Sequence, residues 1–547
     1  MSAIPPSGQG EDGKKARAWL VGIAYVSAVL CSIGLGRPAL WIDEVHSWEF
    51  SCLPTAWLVV LNAAARDAYP PLYFLLLHYW LKLGSSETWL RMLSLGFHLA
   101  SIPLMYLVAR RLIGRGHRSV RDGAFGAARG GGLVAAALLA FSPFHMAYAR
   151  EVRMYAPLCF FGLLSVWGLL AWLQDGSRRG LWTMALAALA AVYTQYMGAL
   201  LVIVEMAALF QGRREPRARR ALVRLVLVTG LGFIPWSVFF LKAFLVTRGY
   251  GAERPILELA FYFLGSVGAG FMQARWVFVV GAGSVLVLAV IGLQAMKKGP
   301  GRSLLAWWAF MPILVELGAN ALGKPIYGER TLITSIPAWL ILVANAIVTM
   351  PRHRAALAVA CVGGLYGLSC AHNLAFGLGG APRTADAVRL VRAEAKPGDV
   401  ILHSSTVTYH PVHEYYLPRE GGNVRDYMVE PSVAFRSGRL GSWFRELWRK
   451  ARERLDPGGV LHTGADPDRV TEEAFLEKAG GRVWYFHTTM EGSRRLWFLQ
   501  PAGYYAPRPD QVRDVPLAEH AKLARRFKLA STREFPGLKV ELYERKR

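Results

Sequence analysis

The feature that most constrains this chain is a series of apolar runs, each about 20 residues long, between Trp19 and Phe376. A run of this length crosses a bilayer as an α-helix, because its backbone polar groups then find partners within their own segment. We therefore predict a polytopic α-helical membrane protein with about eleven transmembrane helices. The predicted spans lie near residues 18–36, 88–109, 130–147, 154–173, 181–195, 196–211, 222–242, 276–296, 303–320, 331–350 and 355–376.

Basic residues cluster in every second break between these spans, on the side of the N-terminus. Lys and Arg close to span ends are retained in the cytoplasm. The chain has 63 Lys and Arg against 38 Asp and Glu, a net charge of +25. The basic clusters on this side of the membrane account for most of the net positive charge. We therefore predict no nucleic-acid partner. The clusters lie at residues 14–17, 110–129, 178–179, 213–220, 297–302 and 352–354.

The apolar runs end well before the C-terminus, and the remaining chain alternates helical and strand patterns. We predict a cytoplasmic N-terminus at residues 1–17, a transmembrane domain at residues 18–378 and an extracytoplasmic α/β domain at residues 383–547. Residues 70–81 are apolar but too few to span a bilayer. We place them as a juxtamembrane helix on the outer membrane surface.

Two adjacent acids, Asp43 and Glu44, follow the first span in an outward loop rich in aromatic residues. Carboxylates at a membrane face are costly unless they are paired, bind a cation or take part in function. Such a carboxylate could accept the proton of an attacking hydroxyl, as a general base does. The simpler alternative is a solvated acid pair with Trp41 and Trp48 as interface anchors.

Two further outward segments combine aromatic, charged and proline residues. The first segment contains Pro70 and Pro71. This double proline fixes an extended entry into the juxtamembrane helix, and a plain helix start is the alternative. The second, Ser142–Tyr155, holds His, Tyr, Arg and Glu side chains in one short connection, and structural ion pairing is the alternative. The substrate-binding candidates in these segments are Tyr69, Pro70, His145, Tyr148, Glu151 and Tyr155.

Three arginines are candidates for binding a phosphate. Arg330 lies at the outer start of the tenth predicted span, just after Tyr327, which is a further substrate-binding candidate. A guanidinium binds phosphate through two parallel hydrogen bonds, although an interface arginine can also simply snorkel to water. Arg153 and Arg91 are the other two, and an ion pair with Glu87 is the alternative for Arg91.

As a set, these motifs resemble those of the GT-C superfamily of membrane glycosyltransferases, over roughly residues 15–350. More specifically, they resemble family 39-like bacterial members, which are related to protein O-mannosyltransferases and lipid A aminoarabinose transferases. It rests on Asp43-Glu44, Pro70-Pro71-Leu72-Tyr73, Glu87 with Arg91, Ser142–Tyr155 and Tyr327-Gly328-Glu329-Arg330. The resemblance implies a polyprenyl-phosphate sugar donor, transfer on the outer face of the bacterial inner membrane and inversion at the anomeric carbon.

The resemblance also implies residue roles. Asp43 looks like the general base and Glu44 like its orienting neighbour, while Arg330 resembles a donor-phosphate ligand with Arg153 or Arg91 as helpers. Tyr69 stands where protein mannosyltransferases have His before the double proline. This departure argues against the peptide-acceptor mode of those enzymes, and a C-terminal domain unlike their β-trefoil insert suggests a different acceptor. The class of acceptor stays open between a lipid, a glycan and a protein.

The sequence also allows a metal cofactor and two alternative functions. A divalent cation, Mg or Mn, could bind at Asp43 or Glu44, although the sequence does not require one. A transporter or flippase of lipid-linked sugars would use buried charges during alternating access. Glu205 and Glu316 lie inside predicted spans and fit that alternative. A polymerase or ligase that joins whole glycans is the second alternative.

Overall fold

The structure is a computed structural model. It describes residues 8–65, 69–113, 127–246, 256–270, 275–322, 330–376, 384–403, 406–420, 424–429, 469–470, 481–487, 521–535 and 538–546.

Seven helices within the described ranges are long and apolar enough to cross a membrane. An eighth span results if the bent pair Gly130–Phe141 and Pro143–Ala149 is counted as one. The bend of 57° falls at Ser142-Pro143, because a proline nitrogen cannot donate the hydrogen bond that would continue the helix. These helices confirm the polytopic α-helical membrane fold.

The membrane domain is built almost entirely from helices. In chain order they are α1 (Gly8–Ser32), α2 (Ile42–Ser51), α3 (Ala56–Ala65), α4 (Leu72–Leu81), α5 (Glu87–Ile113), α6 (Ala127–Phe141), α7 (Pro143–Ala149), α8 (Tyr155–Asp175), α9 (Arg178–Thr194), α10 (Gly198–Gln211), α11 (Pro216–Val246), α12 (Ile256–Ala269), α13 (Arg275–Ala295), α14 (Pro300–Ala321), a 3₁₀ turn (Thr331–Thr334), α15 (Ile336–Thr349) and α16 (Arg352–Phe376).

Several predicted spans differ in length from the helices found. The spans predicted near 181–195, 196–211 and 331–350 correspond to α9, α10 and α15, which have 17, 14 and 14 residues. The count of eleven spans therefore stays a prediction. Three helices were missed: α2 and α3, in the connection after the first span, and α12, in the long connection between residues 242 and 275.

The core of the membrane domain surrounds α15. Nearly every side chain of this helix is buried, from Ile336 to Ile347, as expected of a helix that is apolar on all sides. Its one internal amide, Asn345, donates to the Gly292 carbonyl of α13 at 2.7 Å. A side chain at Gly292 would collide with the Leu342 carbonyl, so glycine lets the two backbones approach closely.

The C-terminal region forms an α/β domain, as predicted. Its elements are α17 (Thr384–Glu394), β1 (Val400–His403), α18 (Thr406–His410), a π-helical turn (Pro411–Tyr416), α19 (Leu417–Glu420), β2 (Arg425–Val429), β3 (Arg469–Val470), β4 (Arg482–His487), α20 (Ala521–Arg526), β5 (Phe527–Phe535) and β6 (Leu538–Arg545).

The strands form one six-stranded sheet in the order β3-β2-β1-β4-β6-β5. The first four are mutually parallel, and β6 and β5 add antiparallel pairs at one side. The central strand β1 is buried along its whole length, which fits a strand covered on both faces. The helical segment from α18 to Tyr416 follows β1 directly and contacts α2 of the membrane domain.

Candidate active site

The site is organised around Asp43 in the first turn of α2. Acidic side chains are favoured at this position because the helix N-terminus carries a partial positive charge. The Asp43 side chain remains 23% exposed, so a ligand can reach it. Its neighbour Glu44 is only 1% exposed. The adjacent acids therefore face different environments.

Glu44 forms a buried ion pair with Arg91 of α5. The Arg91 Nε donates to Oε1 at 2.8 Å, and Nη2 donates to Oε2 at 2.6 Å. The backbone nitrogens of Val152 and Trp41 donate to the same carboxylate at 3.0 and 3.3 Å. Because these four donors surround the carboxylate, Glu44 positions α2 and the segment before α8 instead of reacting.

Arg91 uses its remaining donors on the chain that leads into α2. Its Nη1 donates to the Leu35 and Pro38 carbonyls at 2.8 and 2.9 Å, and Nη2 donates to the Ala39 carbonyl at 3.3 Å. The sequence interpretation of Arg91 as a donor-phosphate ligand is therefore replaced by a structural role. Its guanidinium, only 4% exposed, already engages a carboxylate and three carbonyls.

We expect Arg91→Met to lower the free energy of unfolding by about 3–5 kcal/mol, because it leaves the buried Glu44 carboxylate without its counter-ion. Thermal unfolding in detergent measures this. Arg111→Met is the matched control, since Arg111 pairs with Asp175 at 2.7 Å where the side chains are 21% and 48% exposed. The control is expected to change stability by less than about 1 kcal/mol. Equal effects of the two changes would contradict the structural role of Arg91.

Two other arginines face Asp43 from different parts of the chain. Arg330 Nη1 donates to Asp43 Oδ2 at 3.0 Å, and Arg153 Nη2 lies 3.6 Å from the same oxygen. Arg153 also donates to the Asp43 carbonyl at 3.1 Å and to the Ser47 hydroxyl at 3.2 Å. Burial alone would raise the pKa of Asp43, but the two guanidinium groups and His46 outweigh it and lower that pKa. Asp43 is therefore ionised at neutral pH.

The ring of Tyr155 lies beside both guanidinium groups. The Arg153 and Arg330 Cζ atoms lie 5.9 and 5.7 Å from its centroid, within the range of cation–π attraction. Tyr148 packs against Tyr155 edge to face, with centroids 4.9 Å apart. Both tyrosines were predicted as substrate-binding residues, and the structure places them at the arginine side of Asp43.

Glu151 is a second carboxylate near the arginines, on the segment between α7 and α8. Its Oε2 is buried and has no hydrogen-bond partner among the described residues. Burial and the nearby Glu44 carboxylate raise the pKa of Glu151 to about 8, against the opposing effect of Arg153 and Arg330. Glu151 is thus protonated at neutral pH and can donate a hydrogen bond to a ligand.

The other predicted substrate residues have different surroundings. His145 is fully buried, and its Nδ1 lies 2.7 Å from Nδ1 of His98 on α5; this pairing gives His145 a role in helix packing instead of the predicted substrate contact. Tyr69 contacts the rings of Phe50 and Phe74, and Pro70 beside it is buried. Tyr327 lies outside the described residues.

The two adjacent acids do not fit the divalent-cation site considered from the sequence. Glu44 is occupied by Arg91 and two backbone donors, and Asp43 faces two guanidinium groups. Within the described ranges, no three His, Cys, Asp or Glu side chains are grouped as metal ligands. The positive charge beside Asp43 therefore comes from Arg153 and Arg330.

Sequence analysis missed the contribution of the C-terminal domain to this site. The Tyr416 hydroxyl accepts a hydrogen bond from the Leu40 nitrogen at 2.7 Å, three residues before Asp43. The ring of His410 lies edge to face with that of His46, with centroids 5.0 Å apart. No local pattern around Tyr416 or His410 indicates a contact with a segment more than 350 residues away. A pairing between distant positions could have been detected only from related sequences.

No model of a known protein family matches the chain, and no curated protein does. Its fold is similar to crystal structures of ArnT from Cupriavidus metallidurans. The apo structure is 14% identical, with a TM-score of 0.61 over 96% of this chain and 98% of that one. The structure bound to undecaprenyl phosphate gives a TM-score of 0.58 with the same identity and coverage. The similarity shows that this chain shares the fold of these ArnT structures.

Proposed function

We propose that this chain is an inverting glycosyltransferase that moves a sugar from a polyprenyl-phosphate donor to a lipid, glycan or protein acceptor. The observation that carries the proposal is the placement of a partly exposed, ionised Asp43 against Arg153 and Arg330. A hydroxyl acceptor needs a base, and a departing phosphate needs cations, so both requirements meet at one place. The ArnT structure with undecaprenyl phosphate supports a lipid carrier of this type.

In the proposed reaction, the acceptor oxygen attacks the anomeric carbon of the sugar from the face opposite the phosphate. The bond between that carbon and the phosphate oxygen breaks, and polyprenyl phosphate leaves as an anion. The acceptor proton passes to the Asp43 carboxylate. Arg330 and Arg153 stabilise the charge that develops on the phosphate. Electrostatic stabilisation of this kind is usually the largest single contribution to catalysis.

Binding of the donor would also make Asp43 a stronger base. Without donor, both guanidinium groups lower the pKa of Asp43 and make its carboxylate a weak proton acceptor. When the monoanionic phosphodiester of the donor shares their charge, this effect weakens and the pKa of Asp43 rises. The base would therefore gain strength when the sugar is in place, which couples donor binding to proton abstraction.

Glu151 would complete the donor site as a neutral acid. Because its pKa is raised to about 8, its hydroxyl is protonated at neutral pH and can donate a hydrogen bond to a sugar or phosphate oxygen. Tyr148 and Tyr155 line the same side of the site. We propose that the reaction occurs on the outer face of the bacterial inner membrane, with the C-terminal domain on that face. We also propose that the two arginines take the place of a divalent cation.

The test is transfer of radiolabelled sugar from polyprenyl-phosphate donors by the purified protein in proteoliposomes. We expect label to move from the lipid carrier to an acceptor fraction of the cell envelope, at the same rate with EDTA as with Mg²⁺ or Mn²⁺. Labelled carrier that crosses the bilayer without being consumed would contradict the proposal and support the flippase. Loss of transfer with EDTA and its recovery with Mg²⁺ would contradict the cation-independent mechanism alone.

A further inference from the structure

The residues that lead into α2 are fixed by side chains from two domains. On one side, Arg91 of α5 holds the Leu35, Pro38 and Ala39 carbonyls. On the other side, Tyr416 of the C-terminal domain holds the Leu40 nitrogen. The backbone before Asp43 is therefore anchored through its acceptors by the membrane domain and through a donor by the C-terminal domain.

The Tyr416 hydroxyl makes two bonds at once. It accepts from the Leu40 nitrogen at 2.7 Å and donates to Glu87 Oε1 at 2.8 Å. Glu87 and Arg91 are four residues apart on one face of α5. Tyr416 therefore connects the C-terminal domain both to the backbone before Asp43 and to the helix that supplies Arg91.

Two ring contacts along α2 belong to the same interface. His410 packs on His46, and Tyr415 packs on Trp48 with centroids 5.2 Å apart and an interplanar angle of 88°. Tyr415 is only 1% exposed, so it is an integral part of this packing. Contacts from one short segment of the C-terminal domain thus lie on both sides of Asp43 in sequence.

We infer that the C-terminal domain positions the catalytic helix, and that Tyr416 is the positioning residue through which it acts. The inference rests on the proposed function, because it takes Asp43 as the base. Removing the hydroxyl leaves the buried Leu40 nitrogen and a partly buried Glu87 oxygen without this partner. The backbone before Asp43 then gains freedom, and small displacements of a base lower the rate without removing the donor site.

The test compares Tyr416→Phe with Tyr543→Phe. Tyr543 is a matched control because it is also buried in the C-terminal domain, and its hydroxyl donates to a carboxylate, Glu541, at 2.8 Å. We expect Tyr416→Phe to lower kcat roughly tenfold and to leave the KM for the donor within about twofold of the wild type. The control should match the wild type in both constants. Equal kcat values for the two variants would overturn the inference.

A second measurement does not depend on turnover. Hydrogen–deuterium exchange of the Leu40 amide should accelerate at least about tenfold in Tyr416→Phe, because its bond to the hydroxyl is lost, and should not change in Tyr543→Phe. Unchanged exchange in Tyr416→Phe would overturn the inference even if no glycosyl transfer were found. Absence of wild-type transfer together with faster exchange would instead contradict the proposed function and retain the positioning contact.

Discussion

Asp43→Asn is expected to lower kcat by about 10²- to 10⁴-fold, which is the contribution typical of a positioned general base. The amide keeps the shape of the side chain but cannot take up the acceptor proton. Because Arg153 and Arg330 remain in place, we expect the donor to bind at least as tightly as in the wild type. Single-turnover transfer assays measure the first effect, and equilibrium binding of polyprenyl phosphate measures the second.

Asp175→Asn is the control for this change. Asp175 is also paired with an arginine, Arg111, at 2.7 Å, but it lies at the end of α8 distant in sequence from α2. We expect its turnover to stay within about twofold of the wild type. If Asp43→Asn also retained wild-type turnover, Asp43 would not be the base.

The sequence could predict which residues lie on the same face of the membrane. Positions of the basic clusters fix the direction of each span, so Asp43, Arg153 and Arg330 were all expected outside. Their meeting at Asp43 Oδ2 agrees with that expectation. Hydrophobic length likewise predicted the long helices, since a span of about 20 apolar residues has few other folds available.

The sequence could not predict which arginine binds which acid. Arg91 and Arg153 are chemically identical, and both are buried. Only tertiary packing places Arg91 on Glu44, 47 residues away in sequence, while Arg153 lies on Asp43. For the same reason, two adjacent acids in one motif received similar predicted roles, although the helix turns their side chains in different directions.

Short helices were the other weak point of the prediction. The 14 residues of α12 are fewer than a span needs, so hydrophobic length gave no signal for this helix. In α2, buried Glu44, Ser47 and Glu49 alternate with apolar residues. Polar groups that are buried through tertiary partners obscure the apolar periodicity that identifies a helix.

Arg330→Met is expected to lower kcat/KM for the donor by about 10²- to 10³-fold, similar to the loss of one preorganised charge-stabilising group in other enzymes. The reason is that Arg330 is partly exposed, at 16% of its side chain, and directed towards the space beside Asp43. Arg330→Lys keeps the positive charge but cannot form the bidentate hydrogen bonds of a guanidinium, so we expect it to retain only part of the activity. Arg213→Met, an arginine stacked on Phe210 at 4.1 Å, is the control and should leave kcat/KM unchanged.

The pH profile of Arg330→Met separates a role in catalysis from a role in folding. Arg330 is one of the groups that lower the pKa of Asp43, so its removal raises that pKa. A base must be ionised to act, and the acidic limb of kcat/KM against pH should therefore move to higher pH in this variant. Arg330→Lys should keep the limb near its wild-type position because the positive charge is retained. A variant that lost activity equally at every pH would show that Arg330 does not set the pKa of Asp43.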